Sequence, residues 1–298
     1  MRDPSSLYSV VMADHEVPRG LPLVAGLTGF ADAGTAVGQF TEYLITSLDH
    51  REVAVFDNDE LLDWRARRPV LYFDETRITE YAMPSLALRL MTDELGAKFL
   101  FLSGYEPDFH WEGFTRAVLD LVDRFEVVST TWVHAIPMPV PHSRPIGVTV
   151  SGNRDDLTEA FSIWRPRTQV PGTALHLLEY RLQQSGRPTA GFVLLVPHYL
   201  ADTEFPSAAV TALESITAAT GLLFPTDQLR EEGREFLAKI TSQVEGNGEL
   251  ARLVGTLEER HDSYMEDNPL RSPLTDEDGE LPSADSIAAE LEKFLAFR

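Results

Sequence analysis

Leu21-Pro22-Leu23-Val24-Ala25-Gly26-Leu27, followed directly by Thr28-Gly29-Phe30-Ala31-Asp32-Ala33-Gly34, is the stretch on which the fold turns. Its first half is a short apolar run bounded by glycine, which reads as a buried strand. Val37, Phe40, Leu44 and Leu48 then fall on one stripe at helical spacing. Strand, glycine turn and helix in that order open an α/β sheet. Working outward, further strands are predicted at 53–56, 70–73, 86–91, 99–102, 127–131, 147–150 and 191–196. Helical patterns occupy 111–124, 173–184 and 207–220. Strands and helices thus alternate through residues 20–220, which predicts a three-layer α/β/α core over 1–224 with a central, largely parallel or mixed sheet. Trp132 precedes Pro137, Pro139, Pro141 and Pro145, a run expected to be extended and to resist regular pairing, as a segment crossing a subunit boundary would.

After Phe224 the character changes. Pro225-Thr226-Asp227 is a helix start, and Leu229, Phe236, Leu237, Ile240 and Val244 recur at helical spacing. Glu245-Gly246-Asn247-Gly248 interrupts the stripe, and Leu250, Leu253, Val254 and Leu257 resume it. A helical hairpin over 225–265 is expected to pack on the core, since two such helices are too small to build a core alone. Residues 266–282 are acidic and proline-containing, the composition of a linker. Ser283 then starts an amphipathic helix over 283–298, with Ile287, Leu291, Phe294 and Leu295 on one stripe.

Composition narrows the functional classes. The 298 residues carry 25 Lys+Arg against 47 Asp+Glu, a formal net charge of −22. Such a chain repels phosphate backbones and anionic headgroups, so neither nucleic acid nor membrane is expected as a partner. There is no cysteine, which removes disulfides, thiolate metal sites and cysteine nucleophiles together. Met1 to Glu16 lacks the apolar stretch of a signal peptide, and no run reaches the ~18 apolar residues of a membrane span, so a cytoplasmic location is expected.

Ligands of open α/β sheets sit where strands end and helices begin. Two turns there carry the candidate pocket. Gly29, Phe30, Asp32 and Gly34 form the first: its glycines let backbone approach a ligand, and the next helix offers free N–H groups to an anion. The spacing is not G-x-G-x-x-G, no Lys follows, and Asp32 opposes a phosphate; tight strand-to-helix packing is the other reading. Ser103, Glu106 and Asp108, after the strand at 99–102, form the second. Two carboxylates in unlike surroundings can divide acid and base work, while Asp108 serves equally as the cap of the helix at 111. His198, in Val196-Pro197-His198-Tyr199, is the best-placed histidine, as a rim residue or a base. No H-E-x-x-H or H-x-x-x-H pair and no G-x-S-x-G elbow occurs, so no metal, no cofactor and no identifiable catalytic residue is expected.

Four of these stretches, Gly29-Phe30-Ala31-Asp32-Ala33-Gly34, Ser103-Gly104-Tyr105-Glu106-Pro107-Asp108, Val170-Pro171-Gly172 and Val196-Pro197-His198-Tyr199, in this order, resemble the actinobacterial branch of the proteasome assembly chaperone family. The resemblance spans about residues 20 to 260. It implies a fold similar to purine nucleoside phosphorylases, homo-oligomers with a trimer as the expected form, and a non-catalytic role in protein binding or assembly. Proteasome α-subunits are the partners it implies. In some members a C-terminal hydrophobic–Tyr–any tripeptide docks into the ring. Here the chain ends Ala296-Phe297-Arg298, so Phe294, Leu295, Phe297 and Arg298 are the docking candidates, with Phe in place of Tyr. The alternative reading is an enzyme or sensor for a nucleoside-like small molecule at the two turns, a nucleosidase-like hydrolase if catalytic.

Overall fold

The computed structural model describes residues 4–165 and 167–267. In chain order the elements are β1 (Tyr8–Val10), β2 (Leu23–Thr28), α1 (Ala36–Ser47), β3 (His50–Phe56), α2 (Asn58–Leu61), β4 (Val70–Asp74), β5 (Arg77–Ala82), β6 (Ala87–Thr92), β7 (Lys98–Tyr105) and α3 (Trp111–Arg124). There follow β8 (Thr130–Met138), β9 (Gly147–Gly152), α4 (Asp155–Phe161), α5 (Ala174–Gln184), β10 (Thr189–Pro197), α6 (Pro206–Thr220), α7 (Asp227–Glu245) and α8 (Gly248–Asp267). Eight strands form one mixed sheet in the order β1-β3-β6-β7-β2-β8-β10-β9. The four central strands, β7, β2, β8 and β10, run parallel, and antiparallel strands flank them on both sides. All four parallel strands therefore deliver their carboxyl ends to one edge.

Strand alternation distributes the opening stretch between two cores. Val24 joins the layer of α1 and α6, with Phe40, Leu44, Phe101, Phe192 and Leu213. Leu23, Ala25 and Leu27 face the layer of α3 and α5, with Phe114, Leu121, Trp132 and Leu178. Both faces of β2 are covered, so the strand has to read as a continuous apolar run. Gly26 is required by this packing: a Cβ there would lie 2.5 Å from the Phe40 ring. On β10, Gly191 does the same for the indole of Trp132.

Pro139, Pro141 and Pro145 lie outside the strands, as expected of the run, but Pro137 does not. β8 continues through Ile136, Pro137 and Met138, paired in parallel with β10 up to Pro197. The reason lies in the neighbour: β2 pairs with β8 only over Leu23–Ala25 against Thr130–Trp132. Beyond Trp132 one side of β8 asks nothing of its N–H groups, so proline is tolerated. The strand predicted at 127–131 accordingly sits further along the chain than its apolar start suggested.

α7 lays Leu229 into the α1/α6 core, with Phe236 against Phe205 at 5.4 Å between ring centroids. α8 buries Val254 and Leu257 and ties back to the body. Arg144 donates to both Asp262 oxygens at 2.7 and 2.8 Å, and Tyr264 Oη donates to the Ile163 carbonyl at 2.8 Å. α8 runs to Asp267, two residues past the boundary expected at 265. The rest of the expected linker, the terminal helix over 283–298 and its residues Phe294, Leu295, Phe297 and Arg298 lie outside the described residues. None of the described helices is long and apolar enough to cross a membrane.

β4 and β5 stand apart. They form a two-stranded sheet of their own, and every residue in both strands is exposed.

Candidate functional site

At the carboxyl edge of the parallel strands the chain bends sharply after β2. Ala31 and Thr35 have φ of 46° and 47°, left-handed values that cost a non-glycine residue strain, and Gly34 has 69°. Gly34 also allows a close approach, since a Cβ there would lie 3.1 Å from Phe205. The turn folds back so that Asp32 Oδ1 accepts from Val37 N at 2.8 Å and Oδ2 from Gly38 N at 2.9 Å. The helix N-terminus expected to greet an anionic ligand is filled by the chain's own carboxylate. Burial pushes the Asp32 pKa up, against those two N–H groups.

Asp108, expected either to cap α3 or to do acid–base work, does not cap the helix. The N-cap of α3 is His110, in a left-handed conformation with no side-chain cap. Asp108 instead accepts from Asp63 N at 2.8 Å and from Arg67 Nε and Nη2 at 3.1 and 3.0 Å, a bidentate pair with both side chains mostly buried. Arg67 also lies over the Tyr105 ring at 5.0 Å and fills the space that a Cβ on Gly29 would need. It belongs to the Trp64-Arg65-Ala66-Arg67-Arg68 stretch, which looks like a solvated loop and carries no signal that one of its arginines turns inward.

Glu106 is buried, and its Oε1 accepts from Ala174 N at 2.6 Å, at the first turn of α5. Thr173 and His176 close a capping box at the same helix start. Burial raises the Glu106 pKa, and the Ala174 N–H and the Arg67 charge oppose the rise. Ser103 is buried too, with Oγ accepting from Arg89 Nη1 at 2.8 Å. Of the predicted residues, Gly29 and Asp108 meet through Arg67, while Glu106 joins β2 by its N–H to the Thr28 carbonyl at 2.7 Å. His198 is not drawn in: it is exposed, its Nδ1 lies 3.4 Å from the Met138 carbonyl, and its ring packs edge-on against Tyr199.

The structure adds residues outside the two predicted turns, among them His134, which the sequence places near a strand end without a role. His134, on β8, is 5 % exposed. Its ring lies parallel to Phe30, 10° between planes and 6.4 Å between centroids, and edge-on to His176 at 6.3 Å. Burial, with the neighbouring His176, pushes its pKa down to about 4. Burial lowers that of His176 as well. Beneath them Trp132 Nε1 donates to the buried Glu179 at 2.8 Å, which also accepts from Ser151 and Gln183. Only strand periodicity points inward at His134, and that alone cannot separate it from a core residue.

Asp32, Glu106 and Asp108 each accept from a backbone N–H, and Asp108 also from the Arg67 guanidinium. No group of three His, Asp or Glu residues fit to hold a metal occurs among the described residues. Around these anchored carboxylates the aromatic side chains Phe30, Tyr105 and Phe109 remain exposed at 45, 39 and 48 %.

Several solved structures share this fold. A Corynebacterium glutamicum protein of unknown function is 37 % identical, with 89 % of this chain and 99 % of that one covered and a TM-score of 0.85. A Mycobacterium tuberculosis protein of unknown function is 38 % identical over 89 % and 92 % of the two chains, with a TM-score of 0.82. A Mycobacterium tuberculosis proteasome-assembly chaperone homologue is 22 % identical over 78 % and 100 %, with a TM-score of 0.71, which speaks for the fold alone. Among curated proteins no match is found. The profile of the PAC2 family matches residues 26–244, from the middle of β2 to the last turn of α7, and the chain belongs to that family.

Proposed function

We propose that this chain is a non-catalytic, homo-oligomeric binding protein of the proteasome-assembly type, working in the cytoplasm through contacts with other protein subunits. The observation that carries the reading is the β4–β5 hairpin. Val70, Leu71, Tyr72, Phe73, Ile78, Tyr81 and the adjoining Met83 are between 44 and 70 % exposed. With ~150–250 Å² for each aromatic side chain and less for the aliphatic ones, that exposure amounts to roughly 700 Å². A stable interface takes ~800 Å² from each partner, and isolated two-stranded hairpins are marginal in water. The hairpin therefore fits a second copy of the chain, with a trimer as the form the family resemblance implies. The internal bonds of Asp32, Glu106 and Asp108 support a role without catalysis. Membership of the PAC2 family, with a proteasome-assembly chaperone homologue among its folds, supports subunits of the proteasome α-ring as the partners.

Native mass spectrometry of the purified chain, alone and mixed with α-subunits from the same organism, tests this. The expected result is a homo-oligomer that captures α-subunits, reverting to monomer when Tyr72→Lys and Phe73→Glu are combined. Deleting residues 295–298 is expected to abolish capture while leaving the oligomer intact. A monomeric wild-type chain would refute the oligomer, and an oligomer that ignores α-subunits would refute the assembly role.

A further inference from the structure

The apolar stripe of α8 is only half used. Val254 and Leu257 are buried against the body, whereas Leu250 and Leu253, on the same stripe, stay 37 and 38 % exposed. Between α8, α7 and the turn after β10 lies a cavity of about 130 Å³. Six aliphatic residues line it, among them Ile240, Val244, Leu250 and Leu253, together with Tyr199 and Gln243. The Tyr199 hydroxyl is committed to His142, accepting from its backbone N and bonded to its Nδ1, both at 2.8 Å. No charged side chain lines the cavity, and its one other polar side chain is the Gln243 amide. Such a lining selects an apolar occupant, since a charge would lose its hydration there without a partner.

The position of the last described residue decides which occupant can reach the cavity. α8 ends at Asp267, and the 14 residues from Leu253 to that end cover about 21 Å of helix. The 19 residues 268–286 separate Asp267 from Ile287, the first member of the apolar stripe Ile287, Leu291, Phe294 and Leu295. A coil of that length has an r.m.s. reach of about 22–27 Å. Reach therefore matches span, the condition under which a tether gives its highest effective concentration, about millimolar for a short connection. The stripe recurs at i, i+4, i+7 and i+8, the spacing of a segment that lays one apolar face into a groove.

We propose that the cavity between α7 and α8 receives the C-terminal stripe of the same chain, residues 287–295, with Leu250 and Leu253 closing over its apolar side chains. The docking goes beyond the assembly role and does not depend on it. Its consequence does rest on that reading: where the tail also docks into a ring subunit, cavity and ring compete for one segment, and the free chain holds its tail in reserve.

Because the chain has no cysteine, a single engineered pair reports on the contact without interference. Full-length protein carrying Gln243→Cys with Ala288→Cys is equilibrated in glutathione redox buffers, and non-reducing electrophoresis gives the effective concentration of one thiol for the other. Tyr180→Cys with Ala288→Cys is the control pair, since Tyr180 is 54 % exposed on α5, in the layer opposite α7. An intrachain disulfide is expected, with an effective concentration at least about tenfold higher for the first pair than for the control. Adding Leu291→Asp or Leu253→Glu to the first pair is expected to lower it at least about tenfold, through the lost burial of one leucine. Leu291→Asp changes no residue of the described fold, which keeps a lost contact apart from lost folding. Three results would overturn the proposal: equal values for the two pairs; a value indifferent to Leu291→Asp; or a disulfide-linked dimer as the main product of the first pair, which would assign the cavity to a second copy. No α-subunit enters the mixture, so failure here leaves the assembly reading standing, and failure of α-subunit capture leaves this one.

Discussion

Lowering the pH from 7 to 5 should destabilise this protein through His134, and the size of the effect follows from its burial. In the unfolded chain the imidazole titrates at its ordinary value of 6.5; in the fold burial and His176 hold it down to about 4. Above pH 6.5 both states are neutral and the histidine adds nothing to the pH dependence. Below it the unfolded chain takes up a proton that the folded chain refuses, so stability falls until the folded group also titrates. With those two values the loss between pH 7 and pH 5 is about 2 kcal/mol, and it approaches about 3 kcal/mol near pH 4. His176, lowered by burial, pushes in the same direction. Asp32, Glu106 and Glu179 push the other way: their raised values mean that the folded form binds protons first, which favours the fold as pH falls. Comparison with a His134→Gln variant removes these shared contributions. Urea unfolding of both proteins at pH 7, 6 and 5 should show the wild type losing about 2 kcal/mol more than the variant over that interval. Parallel stability curves would refute the reasoning, as would an NMR titration in which His134 protonates near 6.5.

Asp32→Ala should cost about 1–2 kcal/mol in urea unfolding, because Val37 N and Gly38 N lose their only side-chain acceptor, with Asp32→Asn in between; a variant as stable as wild type would mean that the carboxylate does not hold α1. Gly191→Ala should cost about 1–3 kcal/mol or more. The new methyl group drives into the Trp132 indole and pulls Nε1 from the buried Glu179, so tryptophan fluorescence should change with the midpoint. An unchanged emission spectrum and midpoint would contradict that packing.

What could be read from the sequence follows from where each element's constraints lie. α3, predicted at 111–124, is found at Trp111–Arg124, because its apolar stripe and polar flank are both local. The strands at 147–150 and 191–196 are likewise found within β9 and β10. β5 went unpredicted: Arg-Ile-Thr-Glu-Tyr-Ala alternates weakly, and its apolar side chains answer to no core of their own. β8 was displaced because the tolerance of Pro137 depends on a neighbouring strand ending early, a fact held by β2. The site shows the same division. Strand-to-helix punctuation placed the turns at 29–34 and 103–108 each at a strand end and left open whether they meet; parallel pairing of β2 with β7 brings them to one edge of the sheet. Their chemistry could not be read, since the partner of Asp108 lies 41 residues upstream and that of Glu106 lies 68 residues downstream.

The β4–β5 hairpin has a consequence for how this protein can be studied and how it can change. Because none of its residues is buried against the core of its own chain, its apolar side chains contribute almost nothing to the folding free energy of a single chain, and any stability they add comes with association and depends on concentration. Substitutions there leave the folding of a single chain nearly unchanged, and improvements to the core leave the hairpin untouched. Tyr72, Phe73 and Tyr81 can therefore be exchanged for polar residues without the single folded chain registering the loss.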